Sequence, residues 1–248
     1  MSVYSRFLFP FCVVLATACC SRTTIVPELP QSSLSVSDLG QAHFAEHLLE
    51  SLISVRLAQG GPITGSGILL SLDGLPYMMT ALHVVADFLL SKSPVEGVAC
   101  HIDPYTRDED CASVQLGAGY DQLVTFDPTV DAALVPLSHF PAGSRAVDLV
   151  EPGYDFRIGE EIWLVGCPLG NPNIATSGIV SGFVNDDAPR LFTDSDAWFG
   201  TSGGGVFLST GEYVGYVHSM VGSATPTGME VAEGLNVFSP LPMGWDLD

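Results

Sequence analysis

Three residues of this sequence have the side-chain types that nucleophilic catalysis by a triad requires. His83 lies in the segment MMTALHVV, Asp131 in TVDAALVPL and Ser202 in GTSGGGVF. A serine hydroxyl is a poor nucleophile until a base takes its proton, and histidine can do this near neutral pH. A carboxylate on the second ring nitrogen holds the imidazole in the required tautomer. We therefore predict a triad for acyl transfer, with His83 as general base, Asp131 as its orienting partner and Ser202 as nucleophile.

The glycines around Ser202 indicate a second part of the same chemistry. Glycine costs conformational order, so a cluster of glycines needs a reason. The tetrahedral intermediate of acyl transfer carries an oxyanion, which preorganised N–H donors must stabilise. Without a Cβ, the backbone of GTSGGG can come close to that oxygen. We expect the N–H groups of Gly200 and Ser202 to form this oxyanion hole.

Each of the three residues lies where a short β-rich run meets a turn. Such runs follow one another through most of the chain, which contains 26 glycines and 17 prolines, and this pattern is typical of all-β proteins. Asp73-Gly74 and Thr210-Gly211 are typical of hairpin turns. A short helix is predicted in QAHFAEHLLESL, but no long helical pattern alternates with the strands. The pattern favours a barrel or a sandwich over a doubly wound α/β sheet.

The segment GTSGG also fits the G-x-S-x-G motif of α/β-hydrolases. That fold needs an aspartate and then a histidine after the serine. Only His218 follows Ser202, and no aspartate lies between them. The strand–helix alternation of that fold is missing too, so this alternative is rejected.

The charge of the chain excludes some classes of partner. Its 248 residues include 28 Asp and Glu against 8 Lys and Arg, which gives a net charge of −20. This balance argues against nucleic acid as a partner, and against docking on anionic lipid by charge alone. The cysteines show no zinc-ligand spacing, and no further ligand accompanies His43 and His47, which are four residues apart, so we expect neither a metal nor a cofactor.

The first 18 residues have the pattern of a signal peptide. The run FLFPFCVVLATA follows a single positive charge and ends at a small-x-small cleavage pattern. Cys19 comes directly after it, which resembles the lipobox of bacterial lipoproteins. We therefore expect an exported protein of the periplasm or cell envelope. Membrane attachment through a lipidated Cys19 and plain secretion both remain open, and residues 19–45 are predicted to be a tether.

The remaining cysteines are consistent with an oxidising compartment. Cys100 and Cys111 flank the polar loop HIDPYTRDED and are the natural disulfide pair. Cys167 ends the apolar run of WLVGC and is predicted to be a buried thiol.

The segments TALHVV, DAALVPL and GTSGGGVF together resemble the signature segments of trypsin-like serine proteases, most closely the HtrA/Deg-type bacterial branch. RIGEEIWLVGCPLG and TSGIVSGFV resemble that branch's entry to its second barrel, and the similarity covers residues 53–241. The resemblance implies two six-stranded antiparallel β-barrels, over residues 46–145 and 146–248, with the active site in the cleft between them. It also implies an exported serine endopeptidase that hydrolyses protein or peptide substrates through an acyl-enzyme. The residues after about 225 are too few for a PDZ domain.

Two residues depart from the family pattern near the nucleophile. Gly205 stands where proline is usual after S-G-G, and Thr201 stands where Asn or Asp is usual. The loop could therefore be held differently from that of relatives. An alternative function follows from these departures, namely a catalytically weak or inactive member of the fold that acts as a binding module in the envelope.

Two further residues are candidates for the substrate pocket. Asp196 lies six residues before Ser202. In trypsin-like enzymes this position lies at the base of the primary specificity pocket, where a carboxylate favours Lys or Arg in the substrate. Its other interpretation is a solvated loop acid. His218 falls near the pocket histidine of glutamate-specific relatives, and its other interpretation is a strand histidine with a local partner.

Overall fold

A computed structural model describes residues 34–89, 95–116, 125–184, 189–225 and 228–241. The predicted signal peptide and Cys19 lie outside the described residues, as does most of the predicted tether. Contacts group residues Ser32–Asp248 into one compact unit.

Two short helices precede the first strand. Helix α1 spans Val36–Leu39 and helix α2 spans Gln41–Leu49, where the apolar spacing of the sequence predicts a helix. Phe44 of α2 is fully buried and meets the ring of Trp163 edge-on, with the ring centroids 5.4 Å apart. The last residues of the predicted tether are therefore folded onto the protein. None of the helices in the described part of the chain has the length and apolarity of a membrane span.

The first half of the chain forms an antiparallel sheet of seven strands. Its order is β5-β4-β1-β2-β3-β7-β6, and helix α3, Leu82–Leu89, follows β3. The strands are β1 Leu52–Arg56, β2 Ile63–Leu72, β3 Leu75–Ala81, β4 Val95–Ile102, β5 Glu109–Leu116, β6 Thr125–Asp127 and β7 Ala132–Pro136.

The second half forms a closed antiparallel barrel of six strands. Its order is β10-β13-β12-β11-β8-β9, and a 3₁₀ turn at Pro168–Gly170 follows β8. The strands are β8 Glu161–Gly166, β9 Ile174–Phe183, β10 Leu191–Thr193, β11 Gly205–Leu208, β12 Tyr213–Thr225 and β13 Gly228–Pro240.

These two sheets confirm the predicted all-β fold of two antiparallel β structures. The six-stranded closed barrel is present in the second half as expected. The first sheet has one strand more than expected, because the three-residue strand β6 pairs with β7 just before Asp131. Its two edge strands, β5 and β6, do not pair with each other among the described residues, so this sheet is a half-barrel.

Both predicted hairpin turns are present. Asp73 and Gly74 join β2 to β3 with φ angles of 51° and 75°. These left-handed conformations suit Asp and Gly, and they match the twist of a tight hairpin. Gly211, with φ 96°, lies in the turn between β11 and β12.

The two sheets share one hydrophobic core. The larger cluster of buried side chains contains residues of β1, β2, β3 and β7 together with Trp163, Phe207 and Tyr213 of the barrel. A smaller cluster fills the barrel itself, around Ile162, Val206 and Phe238. Because the larger cluster crosses from one sheet to the other, burial of apolar surface fixes their packing.

The three cysteines among the described residues have the states that the sequence predicts. Cys100 and Cys111 are directly opposite each other on β4 and β5 and form a disulfide. Cys167 is a buried free thiol, and burial raises its pKa to about 11.

Removal of the disulfide should weaken the fold by a measurable amount. For a closed loop of this length, we expect a Cys100→Ser, Cys111→Ser double variant to lose about 2–3 kcal/mol of unfolding free energy, because the unfolded chain gains conformational freedom. Urea denaturation at equilibrium measures the loss. Reductant should destabilise the wild type by a similar amount and leave the double variant unaffected. Equal stability of the two proteins without reductant would contradict the prediction.

Candidate active site

His83 lies in the first turn of helix α3, directly after β3 ends at Ala81. The first N–H groups of a helix have no acceptor within the helix. The N–H group of His83 instead donates to Asp131 Oδ1 at 2.9 Å. The main chain of His83 is therefore hydrogen-bonded to the aspartate at the start of the helix, while half of the His83 side chain remains exposed.

Asp131 faces His83 from the turn between β6 and β7. Its φ angle is 57°, and its carbonyl oxygen accepts a hydrogen bond of 2.8 Å from the N–H of Leu82. Its Oδ2 lies 2.6 Å from Nδ1 of His83. The two oxygens of the carboxylate therefore contact the main chain and the ring of the same histidine.

The carboxylate of Asp131 is held in its charged form. Burial raises the pKa of Asp131, but the hydrogen bonds and charge of His83 lower it more, with a smaller contribution from His218. The net pKa is below the ordinary value of 3.8. At neutral pH the imidazole therefore faces an anion.

Ser202 lies in the loop between β10 and β11, and every carbonyl from Phe199 to Ser202 accepts a hydrogen bond. The carbonyl of Phe199 accepts from Leu169 at 2.6 Å, and that of Thr201 accepts from Gly204 at 2.8 Å. In a trans peptide the N–H points away from the C=O of the same unit. These two bonds therefore fix the directions of the next N–H groups, those of Gly200 and Ser202.

The N–H groups of Gly200 and Ser202 differ from those of their neighbours. Thr201, Gly203 and Gly204 each donate to a carbonyl. Across the part of the chain that the structure describes, Gly200 and Ser202 donate to no protein acceptor. The loop thus leaves two fixed N–H groups available to a ligand.

Ser66 of strand β2 holds the two other carbonyls of this loop. Its hydroxyl donates to the carbonyl of Gly200 at 2.6 Å and accepts from the N–H of Cys167 at 2.9 Å. Its own N–H donates to the carbonyl of Ser202 at 2.9 Å. Its carbonyl in turn accepts from the hydroxyl of Thr80. One fully buried serine of the first sheet thus orients the loop of the second barrel.

The loop runs against the strand that leads to His83. A Cβ placed on Gly203 would lie 2.2 Å from Thr80 Oγ1 and 2.8 Å from the nitrogen of Ala81. The φ angle of Gly203 is 79°, which also favours glycine. The glycine after Ser202 therefore lets the loop pack directly on the end of β3.

The two departures from the family pattern have a structural basis. A Cβ on Gly205 would lie 2.5 Å from Phe207 and 2.7 Å from Ile68, so neighbouring apolar side chains fill the space a larger residue needs. Thr201 is buried, and its hydroxyl accepts from the N–H of Trp198 at 3.2 Å.

The two candidates for the substrate pocket lie in different surroundings. Asp196 is exposed, and its backbone carbonyl accepts from the hydroxyl of Thr176 at 3.0 Å. His218 is mostly buried, and its Nε2 lies 3.6 Å from Oδ2 of Asp131. Neither contact tests the predicted roles in the substrate pocket, which stay predictions.

Sequence reasoning did not identify Ser66, although a signal for it was present. Ser66 lies between two glycines in GSG, and a glycine inside a strand often marks close approach of another chain segment. A Cβ on Gly65 would lie 2.5 Å from Val84, and one on Gly67 would lie 2.5 Å from Met78. The two glycines thus bring β2 close to its neighbours on either side of Ser66.

Comparison with known proteins shows similarity to serine proteases. A family model described as a trypsin-like peptidase domain matches residues 65–215. Serine protease HTRA1 from Xenopus tropicalis is 30% identical over 162 residues, which are 61% of this chain and 30% of that protein. A probable periplasmic serine endoprotease, DegP-like, from Pseudomonas putida (strain GB-1) is 32% identical over 158 residues, 61% of this chain and 28% of that protein.

Solved structures show the same fold. The crystal structure of Deg5 superposes with a TM-score of 0.56 at 20% identity and covers 80% of this chain and 87% of that one. The chain spans less than a third of the length of the two curated relatives above.

Ser66→Ala should disorder the loop that contains Ser202, because it removes the only side-chain oxygen that links Gly200 and Cys167 in the described structure. We expect labelling of Ser202 by a fluorophosphonate to slow about 10- to 100-fold, as misplacement of reacting groups does. The unfolding free energy should fall by about 1–3 kcal/mol, since buried groups lose their partner.

Ser54→Ala is the matched control for this substitution. Ser54 is equally buried and donates to the carbonyl of Cys100 at 3.1 Å, in the first sheet. The Ser54→Ala variant should lose stability, but the fluorophosphonate should label it at the wild-type rate. Equal labelling rates of the two variants would show that Ser66 acts only on stability.

Proposed function

The chain belongs to the trypsin-like peptidase family, and from this membership we propose that it is a serine endopeptidase whose catalytic triad is His83, Asp131 and Ser202. The observation that carries the proposal is the 2.6 Å contact between His83 Nδ1 and Asp131 Oδ2. Because an anion beside Nδ1 favours a proton on that nitrogen, the other nitrogen, Nε2, keeps its lone pair. His83 then has the tautomer of a general base.

The proposed reaction proceeds in two steps. Nε2 of His83 takes the hydroxyl proton while Ser202 Oγ attacks the scissile carbonyl carbon, and Asp131 stabilises the imidazolium that forms. His83 then gives the proton to the leaving amine, and the carbonyl carbon stays bound to Ser202 as an ester. Water, activated by the same imidazole, hydrolyses this acyl-enzyme and frees the acid product.

The N–H groups of Gly200 and Ser202 are the proposed oxyanion hole. Two observations support this role. Neither N–H group donates within the described residues, and the carbonyl of the same peptide unit, that of Phe199 or Thr201, accepts a hydrogen bond. Donors fixed before the reaction stabilise a developing negative charge without reorganisation. Ser66 contributes indirectly, because its hydrogen bonds hold the carbonyls of Gly200 and Ser202, which belong to the neighbouring peptide units.

The proposed substrates are proteins or peptides, and the proposed location is outside the cytoplasm. One similar protein is named as a probable periplasmic endoprotease. The Cys100–Cys111 disulfide supports the same location, because disulfides persist in oxidising compartments. Mass spectrometry of the mature amino terminus distinguishes a lipidated Cys19 from plain secretion.

A fluorophosphonate probe tests the proposed triad directly. We expect wild-type protein to be labelled and to digest denatured casein, Ser202→Ala to show neither reaction, and His83→Ala to lose several orders of magnitude in turnover. Absence of labelling in folded wild-type protein would instead support the alternative, a catalytically inactive member that acts as a binding module. Circular dichroism establishes that each variant is folded.

Asp196 is the proposed acid of the primary specificity pocket. If it has this role, peptides with Lys or Arg before the scissile bond should be cleaved fastest, and Asp196→Asn should remove that preference. Asp155→Asn, which removes another exposed carboxylate, is the control and should keep the wild-type preference. A preference that survives Asp196→Asn would assign this residue to the solvated loop.

A further inference from the structure

We propose that His218 is a positioning residue that holds Asp131 from the second barrel, so that two histidines contact the same carboxylate oxygen. The inference rests on the proposed triad. His218 Nε2 lies 3.6 Å from Asp131 Oδ2, the same oxygen that lies 2.6 Å from His83 Nδ1. The distance is too long for a hydrogen bond, so the contribution of His218 is electrostatic.

A second residue of strand β12, Tyr216, contacts the segment that contains Asp131. Two residues before His218, the hydroxyl of Tyr216 donates to the carbonyl of Val130 at 2.5 Å. Tyr216 is fully buried, and the side chains of His218 and Asp131 are only 17% and 20% exposed. One strand of the barrel thus supports both the main chain and the carboxylate of the aspartate in a place where solvent screens weakly.

The carboxylate needs such support because its final torsion is soft. The χ2 angle of aspartate has broad minima, so the oxygens can rotate unless partners hold them. The N–H group of His83 fixes Oδ1, and the two imidazoles meet at Oδ2. The ring of His218 is itself held, since its Nδ1 lies 2.9 Å from Ser219 Oγ. In the tautomer in which Ser219 donates to Nδ1, the ring proton of His218 lies on Nε2, beside Asp131.

This arrangement matters most when His83 is protonated. The imidazolium is stabilised by an anion that stays in place, and a displaced carboxylate stabilises the charged state less. His218 therefore acts on the rate of the chemical step and not on the binding of substrate.

The test compares three variants with the wild type. In His218→Leu, the maximal rate of fluorophosphonate labelling should fall about 10- to 100-fold, while the probe concentration at half-maximal rate stays within about twofold. His218→Gln should recover most of the rate, because its amide can place an N–H near the position of Nε2. His218→Phe keeps a ring without nitrogen, and it replaces His218→Leu if the leucine variant does not fold.

His139→Leu is the matched control. It removes a histidine–aspartate contact of similar length, 3.4 Å between His139 Nε2 and Asp110 Oδ2, which involves neither Asp131 nor His83. Its labelling rate should equal that of the wild type.

Three results would overturn the inference. If folded wild-type protein is not labelled, the proposed function fails and the inference fails with it. If the wild type is labelled and His218→Leu reacts at the same maximal rate, only the inference fails. A changed preference for the residue before the scissile bond, measured at an unchanged maximal rate, would assign His218 to the substrate pocket.

Discussion

The hydrogen bonds of Ser66 are the interaction on which the candidate site depends. Its hydroxyl and its N–H group hold two carbonyls of the loop that contains Ser202, and the hydroxyl also accepts from Cys167. A glycine-rich loop has many accessible conformations, so it needs such partners to present fixed N–H groups. The glycines allow the loop to approach the end of β3, and Ser66 fixes the conformation in which it arrives.

The support between the two sheets is reciprocal. Ser66 of the first sheet orients the loop of the barrel, while Tyr216 and His218 of the barrel contact the segment that contains Asp131. Each half therefore contributes residues of the candidate site and also holds those of the other half. The shared apolar core keeps these contacts in register, because a closely packed interior resists relative movement of its elements.

The sequence predicted features that have local signals. The hairpin turns, helix α2 and the Cys100–Cys111 pair each follow from residues close together in the chain, and His83, Asp131 and Ser202 were selected by chemical type. The contacts of Ser66 and Tyr216 could not be predicted in this way, because they join residues 134 and 86 positions apart. The short strand β6 was missed because three residues carry no periodic pattern. The position of His218 against Asp131 likewise depends on how the two sheets pack.

The core shared by the two sheets has a consequence for how the protein melts. Proteins whose halves have separate interiors can lose one half while the other remains intact. Here the larger cluster of buried residues includes side chains of both sheets and of helix α2, so opening either sheet exposes apolar surface of the other. The protein is therefore expected to unfold in one cooperative transition, and heating should abolish the active site and the tertiary structure at the same temperature.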